Sequence, residues 1–103
     1  MRITERQRSI LRNLVAEHFG DDAELRLFGS RIDDAARGGD FDLFVVTRLN
    51  DPAQIVDRRL RLLAALHATP EFEDERIDLV LLTPLHRHEL PIHRVAREQG
   101  VRL

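Results

Sequence analysis

A chain of 103 residues with 16 basic and 18 acidic side chains, a formal charge of −2 and no cysteine has room for one modest core. It excludes a disulfide framework and thiolate chemistry, and lacks the positive excess of a protein built to coat nucleic acid. The longest uninterrupted apolar run, Leu62–Leu66, is far too short to span a membrane and no signal-peptide pattern opens the sequence, so a single cytoplasmic domain over 1–103, without membrane or direct nucleic-acid binding, is expected.

Thr4 followed three residues later by Gln7 reads as a capping box, and Ile10, Leu11, Leu14, Val15 and Phe19 recur at helical spacing until Gly20. A first helix is therefore expected over about 5–19. Leu25-Arg26-Leu27 alternates and leads through Phe28 into Gly29–Ser30, a short strand ending in a turn. The loop 31–39 carries Arg31, Asp33, Asp34, Arg37, Gly38 and Gly39, and a second strand runs from about Phe41 to Thr47. Asp51-Pro52 with Gln54 marks the start of a second helix, whose apolar side is Ile55, Val56, Leu60, Leu62, Leu63 and Leu66, ending near Ala68 before Thr69-Pro70. After the acidic link 71–75, the run Arg76 to Thr83 is a third strand, apolar at every position from Leu79 to Leu82 and so expected to be covered on both faces. A last helix is expected over about His86–Gln99, interrupted in its first half by Pro91, with a short terminal strand after Gly100.

The stretch 27–46, LFGSRIDDAARGGDFDLFVV, carries the chemistry. Side chains two apart in a strand point the same way, which places the Asp40 and Asp42 carboxylates on one face roughly 7 Å apart. Hard divalent cations such as Mg²⁺ take carboxylate oxygens and keep coordination positions for substrate phosphates. Glycine at 29 lets backbone N–H groups approach an anion, and Ser30 adds a hydroxyl. Asp78 stands at the mouth of the most apolar strand, where a lone carboxylate is costly unless paired or bound to a metal. If the third strand lies beside the second, Asp78 joins Asp40 and Asp42 around one site.

The pattern F-G-S-R, then D-F-D-L-F-V-V, then I-D-L-V on a later strand resembles the minimal nucleotidyltransferase family of the DNA polymerase β superfamily, over nearly the whole chain. The resemblance implies an α/β fold, a small mixed sheet flanked by helices. It implies that Gly29, Ser30 and Arg31 bind the nucleoside triphosphate, ATP for choice. It further implies that Asp40, Asp42 and Asp78 hold two Mg²⁺ ions, with Asp78 helping to deprotonate the attacking hydroxyl. Such paired ions sit roughly 3.5–4 Å apart, comparable to the spacing between strands. Members typically continue Gly-Ser-Arg with Ala-Arg-Gly; here Ile32-Asp33-Asp34 follows, and Arg31 and Arg37 are the candidates to supply positive charge.

Other features read more plainly. Asp33 and Asp34 are expected in a solvated loop, and Arg58, Arg59 and Arg61 on the wet side of the second helix. His88-Glu89-Leu90-Pro91-Ile92-His93 misses the H-E-x-x-H zinc spacing by one residue, so His86, His88 and His93 are expected at the surface.

By the same resemblance, small members are commonly antitoxins that silence a HEPN-domain ribonuclease toxin by adenylylating a tyrosine or by binding it. The function expected is thus Mg²⁺-dependent transfer of AMP, or another nucleotide, to a hydroxyl of a protein partner. The alternative is a non-catalytic antitoxin that acts by contact. The acceptor would come from another chain, and a homo-oligomer is left open.

Overall fold

The computed structural model describes residues 1–33 and 39–103. Asp34, Arg37 and Gly38, named above, lie outside the described residues. Helix α1 (Glu5–Phe19) starts at the expected cap: the Thr4 hydroxyl accepts from the Gln7 N–H and the Gln7 side chain accepts from the Thr4 N–H, both at 3.0 Å. Strand β1 (Glu24–Phe28) ends in a 3-10 turn, Gly29–Ile32, and β2 (Phe41–Val46) follows the loop. Helix α2 (Pro52–His67) opens with the Asp51 carboxylate accepting from the Gln54 N–H at 3.0 Å and proline in its first turn. Then come β3 (Ile77–Leu82), α3 (Pro91–Gln99) and β4 (Val101–Arg102).

The four strands form one mixed sheet in the order β3-β2-β1-β4, with β1 antiparallel to β2 and β4, and β3 parallel to β2. Parallel neighbours cannot be joined by a tight turn, and α2 supplies the crossover. Alternation along each strand assigns the faces. Leu25, Leu27, Phe41, Leu43, Val45 and Leu79 point to one side, where they bury against Leu11, Val15 and Phe19 of α1 and Leu62 and Leu66 of α2. Phe28, Phe44, Val46, Val80 and Leu82 line the other side, under Ala96 of α3. Asp42 and Asp78 belong to this second face by the same alternation.

Four expectations change here, Arg59 being the last. The last helix begins at Pro91, not near His86, because proline lacks an N–H and holds the preceding Leu90 extended (φ −76°, ψ 160°), which fits the first position of a helix and no interior one. The second face is half covered: Val80 and Leu82 are only partly buried and Asp78 is exposed, and on the first face Leu79 is buried while Ile77 and Leu81 are partly buried, so β3 is an edge strand covered fully on neither side. His93 is buried (1%) and not at the surface, stacked against the Phe44 ring at 5.9 Å, while His86 and His88 are exposed as expected. The acidic link 71–75 also reaches inward. Its Phe72 is fully buried and meets the Phe41 ring edge-on, with centroids 5.3 Å apart.

The outer edge of β3 is sealed from both sides. Arg59 of α2 is half-buried, not on the wet side, and its Nη1 donates to the Leu79 carbonyl at 2.7 Å. From the opposite face His93 Nε2 bonds the Leu81 carbonyl at 2.9 Å, while its Nδ1 accepts from the Leu90 N–H at 3.0 Å. An open parallel edge is a template for unwanted pairing, and these two side chains occupy two of its acceptors.

Candidate active site

The parallel register of β2 and β3 sets Asp42 directly beside Asp78. Across β2 on the other side, Asp42 pairs with Phe28, the residue before the Gly29 turn. Three segments distant in sequence therefore meet at one corner of the half-covered face. Gly29 has φ +76°, and a Cβ there would sit 2.1 Å from Asp42 Oδ2. Only glycine lets the turn lie against that carboxylate. Gly39, at φ +91°, closes on Ser30 in the same way, its Cβ position being 2.1 Å from the Ser30 hydroxyl.

Electrostatics identify Asp42 as the strained member of the group. Burial raises its carboxyl above the ordinary aspartate value, the charges of Asp78 and then of Asp40 push the same way, and in its protonated form it hydrogen-bonds Asp78. Asp40 lies just before β2, with Arg76 Nε 4.0 Å from its Oδ2. Among the described residues no three His, Asp or Glu side chains stand together as a ready metal-holding group. An all-oxygen pair, Asp42 with Asp78, beside a glycine turn that admits an anion nonetheless fits a hard divalent cation, which needs one or two carboxylates and fills its shell with water and substrate phosphate oxygens.

Arg31, expected on the nucleotide, is committed elsewhere. Its Nη2 donates to Glu75 Oε2 at 2.9 Å, its guanidinium lies 4.1 Å over the Phe41 ring, and its side chain is only 15% exposed. It fastens the turn to the segment entering β3. Arg2 was not singled out from the sequence, yet it reaches the turn: its Nη2 donates to the Ser30 carbonyl at 3.0 Å and its Nε to the Asp33 carbonyl at 3.1 Å. No local pattern around Arg2 signals that contact. A groove of about 750 Å³ between α1 and β4, lined by Arg8, Arg12 and Leu103 among others, contains none of Asp40, Asp42 and Asp78, so size does not locate the chemistry.

A strand-end Gly-Ser turn, a carboxylate on the adjacent strand and a second carboxylate in register beside it thus stand together at one corner of the sheet. A family model described as nucleotidyltransferase domain matches residues 8–101. The chain belongs to the nucleotidyltransferase domain family. No curated protein matches it. The mixed sheet and flanking helices are those expected of a nucleotidyltransferase fold, and membership supports transfer of a nucleoside monophosphate in general terms. Among the described residues no helix of this nucleotidyltransferase is long and apolar enough to cross a membrane.

Proposed function

We propose that this nucleotidyltransferase moves a nucleoside monophosphate, AMP by preference, from a triphosphate to a hydroxyl on a protein partner, and that the partner is a HEPN-type toxin which it silences. The observation that carries the transferase part is the register pairing of Asp42 with Asp78, with Gly29 packed against Asp42. Asp42 and Asp78, with Asp40 at the strand entrance, would hold Mg²⁺. When bound, such ions stabilise charge on the attacking and leaving oxygens of an in-line displacement.

The chain's own groups do the rest. Ser30 Oγ and the N–H groups of the Gly29 turn bind the terminal phosphates, orienting the α-phosphorus toward Asp78. Asp78 is exposed and open to an acceptor presented by another protein; its carboxylate takes the acceptor hydroxyl's proton. The acceptor oxygen then bonds to the α-phosphorus, the bond from that phosphorus to the β-phosphate's bridging oxygen breaks, and pyrophosphate leaves with the electron pair.

A contact-only antitoxin is the second reading, kept open by the acidic pair Asp33-Asp34 that follows Gly29-Ser30-Arg31-Ile32 in the sequence. One experiment separates the two. Copurify the partner from the native host, incubate with Mg²⁺ and ATP, and record the partner's intact mass, with Asp42→Asn as control. A gain of one or more adenylyl groups, absent with the variant, supports transfer. A partner that binds wild type and variant equally and stays unmodified overturns it.

A further inference from the structure

The Gly29–Ile32 turn faces an electrostatic difficulty that its own residues do not solve. A turn that is to receive an anion must present N–H groups, yet it also carries carbonyls, and Asp33 follows it directly. Arg31 is turned away from these carbonyls: its Nη2 is bonded to Glu75 and its guanidinium lies over the Phe41 ring.

Arg2 meets the turn from outside. Its backbone N–H donates to the Arg31 carbonyl at 2.7 Å, its Nη2 to the Ser30 carbonyl at 3.0 Å and its Nε to the Asp33 carbonyl at 3.1 Å. Arg31 Nη1 returns a bond to the Arg2 carbonyl at 3.4 Å. The carbonyls of Ser30, Arg31 and Asp33 are thereby drawn to one side of the chain. Arg2 Nη2 is also 3.6 Å from the Cβ position of Gly39, a point 2.1 Å from the Ser30 hydroxyl. A permanent positive charge thus borders the place where Ser30 and Gly39 close on each other.

We infer that Arg2 is a positioning residue for the phosphate-binding turn: it clamps the carbonyls of Ser30, Arg31 and Asp33 away from the anion and sets a fixed cation beside Ser30. This rests on the nucleotidyltransferase reading of the site. The fork of a guanidinium matters here, because two carbonyls are held by two different nitrogens, a geometry that a lysine ammonium cannot reproduce while it keeps the charge.

Two readouts test the clamp. The first needs no nucleotide: amide exchange at Asp33, whose N–H is bonded to the Ser30 carbonyl at 3.1 Å, measured against Leu43 in the buried strand. The second is titration with Mg²⁺ and inorganic tripolyphosphate, which carries no base or sugar. In Arg2→Ala, exchange at Asp33 speeds up more than at Leu43, and the dissociation constant rises roughly tenfold, the scale of losing charge-assisted hydrogen bonds. Arg2→Lys recovers part of the affinity. Equal acceleration at both amides with unchanged affinity would make Arg2 merely structural and overturn the proposal. Weakened binding with unchanged Asp33 exchange would make Arg2 a direct ligand contact and overturn positioning. A wild-type protein that ignores Mg²⁺-tripolyphosphate would sink the nucleotidyltransferase reading of the site, and the amide exchange would still decide whether Arg2 holds the turn.

Discussion

Gly29 and Asp42 touch across the strand-to-turn junction so closely that no other residue fits at 29: a Cβ would lie 2.1 Å from Asp42 Oδ2 and 3.0 Å from its Cγ, on a backbone at φ +76°. In Gly29→Ala the positive φ costs about 1–2 kcal/mol of stability. The carboxylate must also swing away, so binding of Mg²⁺-ATP falls by more than the stability loss explains. Thermal melts with and without Mg²⁺-ATP measure both. An alanine variant that melts like wild type and keeps the full ligand-induced shift contradicts this contact.

Asp42 also sets a pH dependence. Its folded-state value is raised by burial and by the neighbouring Asp78 and Asp40 charges, so between the ordinary aspartate value and the raised one the folded state binds more protons than the unfolded state. Stability then falls as pH rises through that window. Without metal, Asp42→Asn is therefore more stable than wild type at neutral pH and loses this part of the slope. Urea denaturation from about pH 4 to pH 7 reads the sign. Mg²⁺-ATP, which stabilises wild type by about 2.7 kcal/mol at 100 times its dissociation constant, gives no shift in the variant.

His93 is expected to matter for stability through three contacts at once: the Leu81 carbonyl, the Leu90 N–H and the Phe44 ring. His93→Ala empties a buried position beside Phe44 and removes the partners of a part-buried carbonyl and N–H, and costs about 2–3 kcal/mol. Arg59→Ala, which bares only the Leu79 carbonyl, costs about 1 kcal/mol. Chemical denaturation gives both values, and light scattering of the double variant checks whether the opened β3 edge self-associates.

Phe72 lies in a segment rich in acid, yet Phe72→Ala empties a fully buried position against Phe41. A loss of about 3–5 kcal/mol is expected. A loss below 1 kcal/mol would mean that the link does not pack as described.

Arg31→Ala separates two roles. A residue that grips nucleotide would change affinity with little change in stability. The contacts to Glu75 and Phe41 instead predict a stability loss of about 1–3 kcal/mol, read by urea denaturation. Equal stability of variant and wild type would contradict the structural role.

The sequence by itself determined the parts whose causes are local. Thr4 with Gln7 and Asp51 with Gln54 fix two helix starts because the caps satisfy N–H groups within three residues. The alternation in β1 and β2 fixes which side chains share a face, and the Gly29–Ser30 turn followed by Asp42 is legible as a candidate site. Tertiary structure alone decided the rest. Whether Asp78 is buried depended on what covers its end of the sheet: the first turn of α3 packs at Leu81, the other end of β3, and Asp78 stands open. Whether Arg31 or Arg2 serves the turn depended on Glu75 and Phe41 lying within reach of one guanidinium and the Ser30 carbonyl within reach of the other. His93 and Arg59 carry no sequence mark of burial, because the acceptors that draw them in are backbone carbonyls of a strand whose edge exists only once the sheet has formed. Charged side chains follow partners that are distant along the chain, and a one-dimensional pattern records no distance of that kind.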